Sequence, residues 1–258
     1  MPNGVNLSNP TTNTSSRYDD PPTYSAPNSP RGILGADQST RKTSTLATMP
    51  PGHDREFRRD TNYITTRITR DGVDGYPVEP GRYRLVAARA CPWANRAVIV
   101  RRLLGLENAI SLGLCGPTHD DNSWTFDLDP GGIDPVLRIP RLKDAYLARF
   151  PDYPKGITVP AMVDVPSGQV VTNNFPQITE DFSTQWREHH REGAPDLWPE
   201  HLREEMAVVN KRVYTEVNNG VYRCGFSGDQ AAYEAAYDRL WTAMDWLEER
   251  LSTRRYQI

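Results

Sequence analysis

The spacing of apolar residues predicts a chain that first alternates strands and helices and then becomes helical throughout. In GRYRLVAARA (81–90), the apolar residues Tyr83, Leu85 and Val86 predict a short strand. The next segment, PWANRAVIVRRLLGL, places apolar residues at helical spacing from Ala94 onward, and Gly105 predicts where this helix ends. NAISLGL then predicts a second strand.

The middle of the chain predicts a long loop, a hairpin and a helix. Residues 115–150 contain several Gly and Pro and read as loop, with one short helix in IPRLKDAYLARF. GITVPAMVDVPSGQVVTNN predicts a β-hairpin, and NNFPQITEDFSTQW predicts a helix that Asn174 caps. The predicted order is therefore strand, helix, strand, long loop, hairpin, helix.

After the polar link REHHREGAPD, only helical spacing remains. Two apolar stripes predict two helices, Leu202, Met206, Val209, Val213 and Val217 in the first and Tyr233, Tyr237, Leu240, Met244, Leu247 and Leu251 in the second. We interpret Trp241 and Trp246 as core of this helical unit. Ser227 with Gln230 resembles a capping box before the second helix.

Composition sets the domain boundaries. Residues 1–56 are rich in Ser, Thr, Asn and Pro and poor in apolar residues, which predicts a disordered tail. An α/β domain is expected over 57–190 and an all-α domain over 195–258.

Signal-like and membrane-spanning apolar runs are absent from the sequence, and a net charge of -3 without a basic cluster argues against nucleic acid as a partner. Three cysteines in 258 residues favour a reducing, cytoplasmic compartment.

Cys91 is the candidate nucleophile. It stands where a strand gives way to a helix, so backbone N–H groups and the helix dipole predict a lowered thiol pKa, with Arg89 and Arg96 adding positive charge. The motif begins like a thioredoxin redox site, but its fourth position is Ala94, so a second thiol would have to come from a small molecule. A buried apolar role for Cys91 stays open. Metal binding is disfavoured because the cysteines lack ligand spacing.

One further motif bears on this site, and the other two cysteines do not. Thr158-Val159-Pro160 predicts a cis-proline loop, which would expose the backbone of Val159 to an extended ligand. Cys115 and Cys224 are interpreted as structural thiols.

Five segments in order, CPWANRAVIVRRLLGLE, NSWTF, ITVPAMVD, TNNFPQI and VYTEVNNGVYRCGF, resemble the glutathionyl-hydroquinone reductases, the Xi class of glutathione transferases. The resemblance runs from about Phe57 to the last residue. It implies a thioredoxin-like N-terminal domain followed by an all-α glutathione-transferase C-terminal domain, usually in a homodimer. It also implies reduction of glutathionyl-hydroquinones, with glutathione as co-substrate and Cys91 as the nucleophile.

The resemblance also implies roles for other residues. The expected glutathione-binding residues are Trp124, Lys143, Val159, Pro160, Asn174 and Phe175. Tyr214 and Tyr222 are expected to line the aromatic substrate pocket.

The chain departs from the family pattern in three places. Asn95 replaces a common histidine, and Asn174-Phe175 replaces Glu-Ser, so another low-molecular-weight thiol such as mycothiol is an alternative co-substrate. RRYQI ends before further family helices, which predicts an incomplete helical domain with uncovered apolar faces. The alternative functions are an omega-like thioltransferase or dehydroascorbate reductase, a non-catalytic binding module or inactive product, and an interaction domain like those fused to translation factors.

Overall fold

A computed structural model of the protein describes residues 56–117, 119–120 and 122–258. The predicted disordered tail, residues 1–56, lies outside the described residues except for Glu56. The domain boundaries expected from composition stay predictions.

The α/β part is built on a four-stranded sheet. Its strands are β1 (Tyr83–Ala88), β2 (Ile110–Cys115), β3 (Ala161–Asp164) and β4 (Gln169–Thr172), arranged in the order β2-β1-β3-β4. β1 and β2 run parallel because a helix connects them, while β3 is antiparallel to both β1 and β4. The sequence-based order of elements is confirmed. The first arm of the predicted hairpin, β3, begins at Ala161 rather than Ile157. Pro160 has no N–H group that could donate a hydrogen bond to a neighbouring strand.

Three helices pack in this part: α1 (Pro92–Leu104), α2 (Leu142–Arg149) and α3 (Phe175–Thr184). Gly105 ends α1 with a left-handed backbone, φ 74°, as its position predicted. A β-carbon on Gly105 would lie 2.5 Å from the Cβ of Arg191. The backbone N–H of Arg191 donates to the carbonyl oxygen of Leu104 at 2.9 Å, so the linker after the α/β part caps the C-terminal end of α1.

The sheet is buried on both faces. Consecutive residues of β1 point to opposite faces, so Leu85 joins one hydrophobic cluster with Trp186, while Val86 joins a second with Phe126 and Tyr146. Beside the sheet, the buried guanidinium of Arg84 donates from Nε and Nη2 to Asp134 at 2.9 and 2.8 Å.

The helical part contains α4 (Arg203–Arg212), a π-helical segment (Val213–Asn218), α5 (Gly220–Gly225) and α6 (Gln230–Ser252). Short 3₁₀ turns occur at Leu106–Asn108, Pro130–Gly132, Arg187–His189 and Glu200–Leu202. Across the described residues, the longest helices are too short or too polar to cross a bilayer.

Two predictions for the helical part are wrong. The N-cap of α6 is Asp229, whose carboxylate accepts from the backbone N–H of Ala232 at 2.8 Å; Ser227 lies too early and donates to the carbonyl oxygen of Arg223. Trp241 is 51% exposed and not core, because the buried face of α6 is formed by the small residues Ala236 and Ala243 with Leu247.

Candidate thiol site

Cys91 occupies the junction that the sequence predicted. It is the N-cap residue of α1, in extended conformation, and Pro92 follows in the first turn. The thiol is half-buried, and its Sγ lies 3.5 Å from the carbonyl oxygen of Val159. The cysteine at the start of the helix and the loop before β3 therefore face each other.

The loop opposite Cys91 contains the predicted cis peptide, between Val159 and Pro160. Thr158 is fixed at both of its oxygen atoms. Its carbonyl oxygen accepts from the Tyr146 hydroxyl at 2.8 Å, and its Oγ1 accepts from the Asn173 amide at 2.9 Å. Tyr146 and Asn173 could not be predicted from the sequence, because both contacts depend on tertiary packing.

The ionisation of Cys91 differs from the prediction. Burial raises the pKa of the Cys91 thiol above its ordinary value. The backbone N–H groups of Ala94 and Trp93 and the charge of Arg59 act in the opposite direction, and they offset this rise only in part. The prediction of a lowered pKa was wrong because it counted the helix terminus and omitted desolvation.

Arg59 is a cation of this site that local sequence patterns did not predict. Its guanidinium carbon lies 4.6 Å from the ring centre of Trp93 and 4.2 Å from that of Tyr222. Its Nε donates to the side-chain oxygen of Asn219 at 2.7 Å. No local pattern could have identified this residue, because its partners lie far along the chain.

Trp93 is the centre of an aromatic cluster beside the thiol. Its Nε1 donates to the Tyr222 hydroxyl at 2.9 Å, and its ring centre lies 4.7 Å from that of Phe175 and 5.8 Å from that of Tyr214. Phe175 is buried in this cluster. The structure thus brings Tyr214, Tyr222 and Phe175 together, and the tryptophan that joins them was not predicted as a site residue.

The remaining predicted residues, Trp124, Lys143 and Asn174, lie in three different segments of the α/β part. Trp124 packs against the same hydrophobic cluster as Cys91 and Val159, with its ring 5.1 Å from that of His119. Lys143 is half-buried in the first turn of α2 and has no hydrogen-bond or ion-pair partner within the described part of the chain. Asn174 caps α3, accepting from the N–H of Gln177 at 3.4 Å.

Comparisons with known proteins match the sequence and the fold of this chain. Residues 90–185 match the family model for the glutathione S-transferase N-terminal domain. A glutathione transferase structure from Gordonia bronchialis is 74% identical, with a TM-score of 0.75, and the match covers 76% of this chain and 61% of that chain.

Two further relatives are more distant. The Xi glutathione S-transferase from Phanerochaete chrysosporium is 38% identical with a TM-score of 0.73, and the match covers 78% of this chain and 69% of that chain. The glutathionyl-hydroquinone reductase YqjG from Escherichia coli is 34% identical over 78% of this chain. Its glutathione-bound structure matches with a TM-score of 0.70, covering 74% of this chain and 65% of that chain.

The fold and the cysteine facing a cis-proline loop define a glutathione-transferase architecture, a thioredoxin-like domain followed by helices. The chain belongs to the Xi class of glutathione transferases. It spans about two thirds of the length of the curated relatives it matches, 63% in the case of YqjG.

Proposed function

We propose that this protein reduces glutathionyl-hydroquinones to hydroquinones, with glutathione as co-substrate and Cys91 as nucleophile. The observation that carries the proposal is the position of the Cys91 Sγ, at a helix N-terminus and 3.5 Å from the Val159 carbonyl oxygen. A thiol there can attack a sulfur held along the backbone of the loop. The similarity to YqjG, a named glutathionyl-hydroquinone reductase, supports the same reaction.

The proposed reaction has two thiol steps. The Cys91 thiolate attacks the sulfur of the glutathionyl-hydroquinone, forming a disulfide with glutathione and breaking the carbon–sulfur bond. The bonding electron pair leaves with the ring carbon, which takes a proton to give the hydroquinone. A second glutathione thiolate then attacks the glutathione sulfur of the mixed disulfide, releasing glutathione disulfide and the Cys91 thiolate.

The proposed glutathione site lies on the thioredoxin-like domain. Val159, beside Pro160, pairs its backbone with the cysteinyl part of glutathione, and Trp124 packs on the tripeptide. Lys143, half-buried and without a described partner, binds a carboxylate. Asn174 caps α3, and the backbone N–H of Phe175 and the side-chain amide of Asn174 donate to the γ-glutamyl carboxylate.

The proposed quinol site uses the aromatic cluster. Tyr214 and Tyr222 both approach Trp93, so a quinol ring stacks against them and its oxygens hydrogen-bond with a tyrosine hydroxyl.

The residue at position 174 bears on which thiol the protein uses as co-substrate. Asn174 supplies no carboxylate for a γ-glutamyl amine, which favours a second low-molecular-weight thiol such as mycothiol as the alternative co-substrate.

The test follows hydroquinone release from a glutathionylated hydroquinone with excess glutathione, for wild type and Cys91→Ser. Cys224→Ser is the matched control, because Cys224 is also a half-buried free thiol. We expect release by wild type and Cys224→Ser and its loss in Cys91→Ser. When free glutathione is left out of the reaction, we expect one glutathione to stay bound to Cys91, and mass spectrometry measures this.

The alternatives give different results when other substrates are supplied. Reduction of dehydroascorbate or of a mixed disulfide, with glutathione oxidised to glutathione disulfide and no hydroquinone released from the conjugate, would replace the proposal by an omega-like thioltransferase or dehydroascorbate reductase. Thermal stabilisation by glutathione without any turnover would indicate a binding module.

We also propose a homodimer in the cytoplasm. All three cysteines are free thiols, a state that reducing compartments maintain. Sedimentation velocity at several concentrations tests the assembly, and a monomer at all of them contradicts it.

A further inference from the structure

Asn219 joins two segments of the helical part that approach the thiol site. It follows the π-helical segment, which contains Tyr214, and it precedes α5, which contains Tyr222. The residue is only 6% exposed, so both ends of its side-chain amide need hydrogen-bond partners within the protein. The identity of those partners shows what a buried asparagine does at this junction.

Both ends of this amide have partners. The Nδ2 of Asn219 donates to the carbonyl oxygen of Tyr214 at 3.0 Å, and the same oxygen accepts from the backbone N–H of Asn219 at 3.0 Å. The backbone bond spans five residues, which is the pattern of a π-helix. The Oδ1 of Asn219 accepts from the Nε of Arg59 at 2.7 Å. A carbonyl only accepts and a guanidinium only donates, so the two partners allow one orientation of the amide.

The direction of the Arg59 side chain depends on this acceptor. Its guanidinium lies over the rings of Trp93 and Tyr222, and a ring face attracts a cation without fixing how the guanidinium turns. The Nη2 of Arg59 is buried without a hydrogen-bond partner among the described residues. The bond to Asn219 is therefore the directional contact that fixes where the charge of Arg59 lies.

The charge of Arg59 acts on the thiol. Burial raises the pKa of Cys91, and within the described residues Arg59 is the charged side chain that acts against this rise. Tyr63 also faces Arg59, but burial raises the pKa of Tyr63 to about 12, so this phenol stays neutral where the thiol titrates. A displacement of the guanidinium would therefore change the ionisation of Cys91 without any change at the cysteine.

We propose that Asn219 is a positioning residue, which holds the guanidinium of Arg59 near the Cys91 thiol from the segment that carries Tyr214. Asparagine suits this position because its side chain both donates and accepts, whereas an aspartate would lose the donor and a leucine would lose both groups. The inference deepens the proposed function and rests on it for the role of Cys91 as nucleophile. Its test follows the thiol alone, so the two can fail separately.

The experiment measures the rate of Cys91 alkylation by iodoacetamide against pH, on the full chain in a Cys224→Ser background, because Cys115 is buried. Asn219→Ala removes both amide contacts, and we expect it to move the midpoint to higher pH by at least about half the shift that Arg59→Met causes. When Arg59→Met is already present, adding Asn219→Ala should move the midpoint by no more than about 0.3 pH unit, since Asn219 acts through Arg59.

Asn210→Ala is the matched control. Asn210 is a half-buried asparagine of α4 whose side chain makes no hydrogen bond within the described part of the chain. The control therefore removes the same amide from a helical residue without removing a contact to Arg59. We expect Cys91 to titrate in it as it does in the parent protein.

The double variant separates positioning from a general loss of packing. A loss of packing would shift the midpoint equally with and without Arg59, and that result would overturn the proposal. An unshifted midpoint in Asn219→Ala would overturn it as well. Alkylation as expected, together with no hydroquinone release by the wild type, would contradict the proposed function and leave the role of Asn219 intact.

Melting temperatures identify any variant that fails to fold. If Asn219→Ala does not fold, Asn219→Ser takes its place with the same expectations, because one hydroxyl cannot replace both contacts of the amide. If neither variant folds, Asn219 has a structural role and the proposal is wrong.

Discussion

Trp93 donates a hydrogen bond from its indole Nε1 to the hydroxyl oxygen of Tyr222, at 2.9 Å. Trp93 lies in the first turn of the helix that Cys91 begins, and Tyr222 lies in α5. The bond therefore ties the start of the cysteine helix to the helical part of the chain, and the guanidinium of Arg59 covers both rings.

Tyr222→Phe removes the acceptor of this bond and leaves the indole N–H of Trp93 without it. We expect the free energy of unfolding to fall by about 0.5–1.5 kcal/mol, since a partly buried donor loses its partner. Urea unfolding followed by circular dichroism measures this. Tyr237→Phe is the control, because Tyr237 is 43% exposed, and an equal loss in both variants would contradict the assignment.

The reactivity of Cys91 should reflect its buried position. Because burial raises the pKa of this thiol, we expect alkylation by iodoacetamide to reach half its maximal rate above about pH 8.5, the ordinary cysteine value. Arg59→Met removes a charge that lowers the pKa of Cys91, so the midpoint should move to still higher pH. A Cys224→Ser background isolates the signal, since Cys115 is buried.

Arg70→Met, which removes an exposed arginine, is the control for net charge in that titration. A midpoint below about pH 8.5 in the wild type would contradict the dominance of burial. An unchanged midpoint in Arg59→Met would contradict the electrostatic role of Arg59.

Gly113→Ala tests the buried ion pair beside the sheet. A β-carbon on Gly113 would lie 2.8 Å from the Arg84 Nε and 2.9 Å from an Asp134 carboxylate oxygen, so the pair must move apart or shift. We expect a loss of about 1–3 kcal/mol in the free energy of unfolding. Gly156→Ala is the control because open space surrounds that position, and it should stay within about 0.5 kcal/mol of wild type.

Substitutions in α6 distinguish its covered face from its open face. Leu247 is 8% exposed, and Leu247→Ala should lower the free energy of unfolding by at least about 2 kcal/mol. Trp241 is 51% exposed, and Trp241→Ala should change it by about 0.5 kcal/mol or less. The larger loss in Trp241→Ala would restore the sequence-based view of Trp241 as core.

Local sequence signals predicted the elements well. The apolar residues Tyr83, Leu85 and Val86 identified β1, and Gly105 identified the end of α1, because a short apolar run and a left-handed cap are both local features of the sequence. The same signals could not tell which face of α6 is covered. A periodic stripe shows that a helix has an apolar face, but not which side of the helix packs against the rest of the chain. Ala236 and Ala243 are buried because small side chains let α6 approach its neighbours closely, and this depends on the assembled fold.

The candidate site was predictable to a similar extent. Cys91 and the Val159–Pro160 bond lie in short motifs, so the sequence identified both. Arg59 and Asn173 were missed because each acts through residues distant in the chain, such as Asn219 and Ile64. The direction of the Cys91 pKa shift was missed for the same reason, since burial is a property of the assembled fold.

The contact between Arg191 and the end of α1 has a consequence for how the chain is made. The N–H of Arg191 and its guanidinium donate to the carbonyl oxygens of Leu104 and Leu103, at the opposite end of α1 from Cys91. During synthesis, those carbonyls stay hydrated until residue 191 has left the ribosome. A shorter polypeptide ending at the predicted boundary, residue 190, would lack these bonds, so the last turn of the cysteine helix would fray.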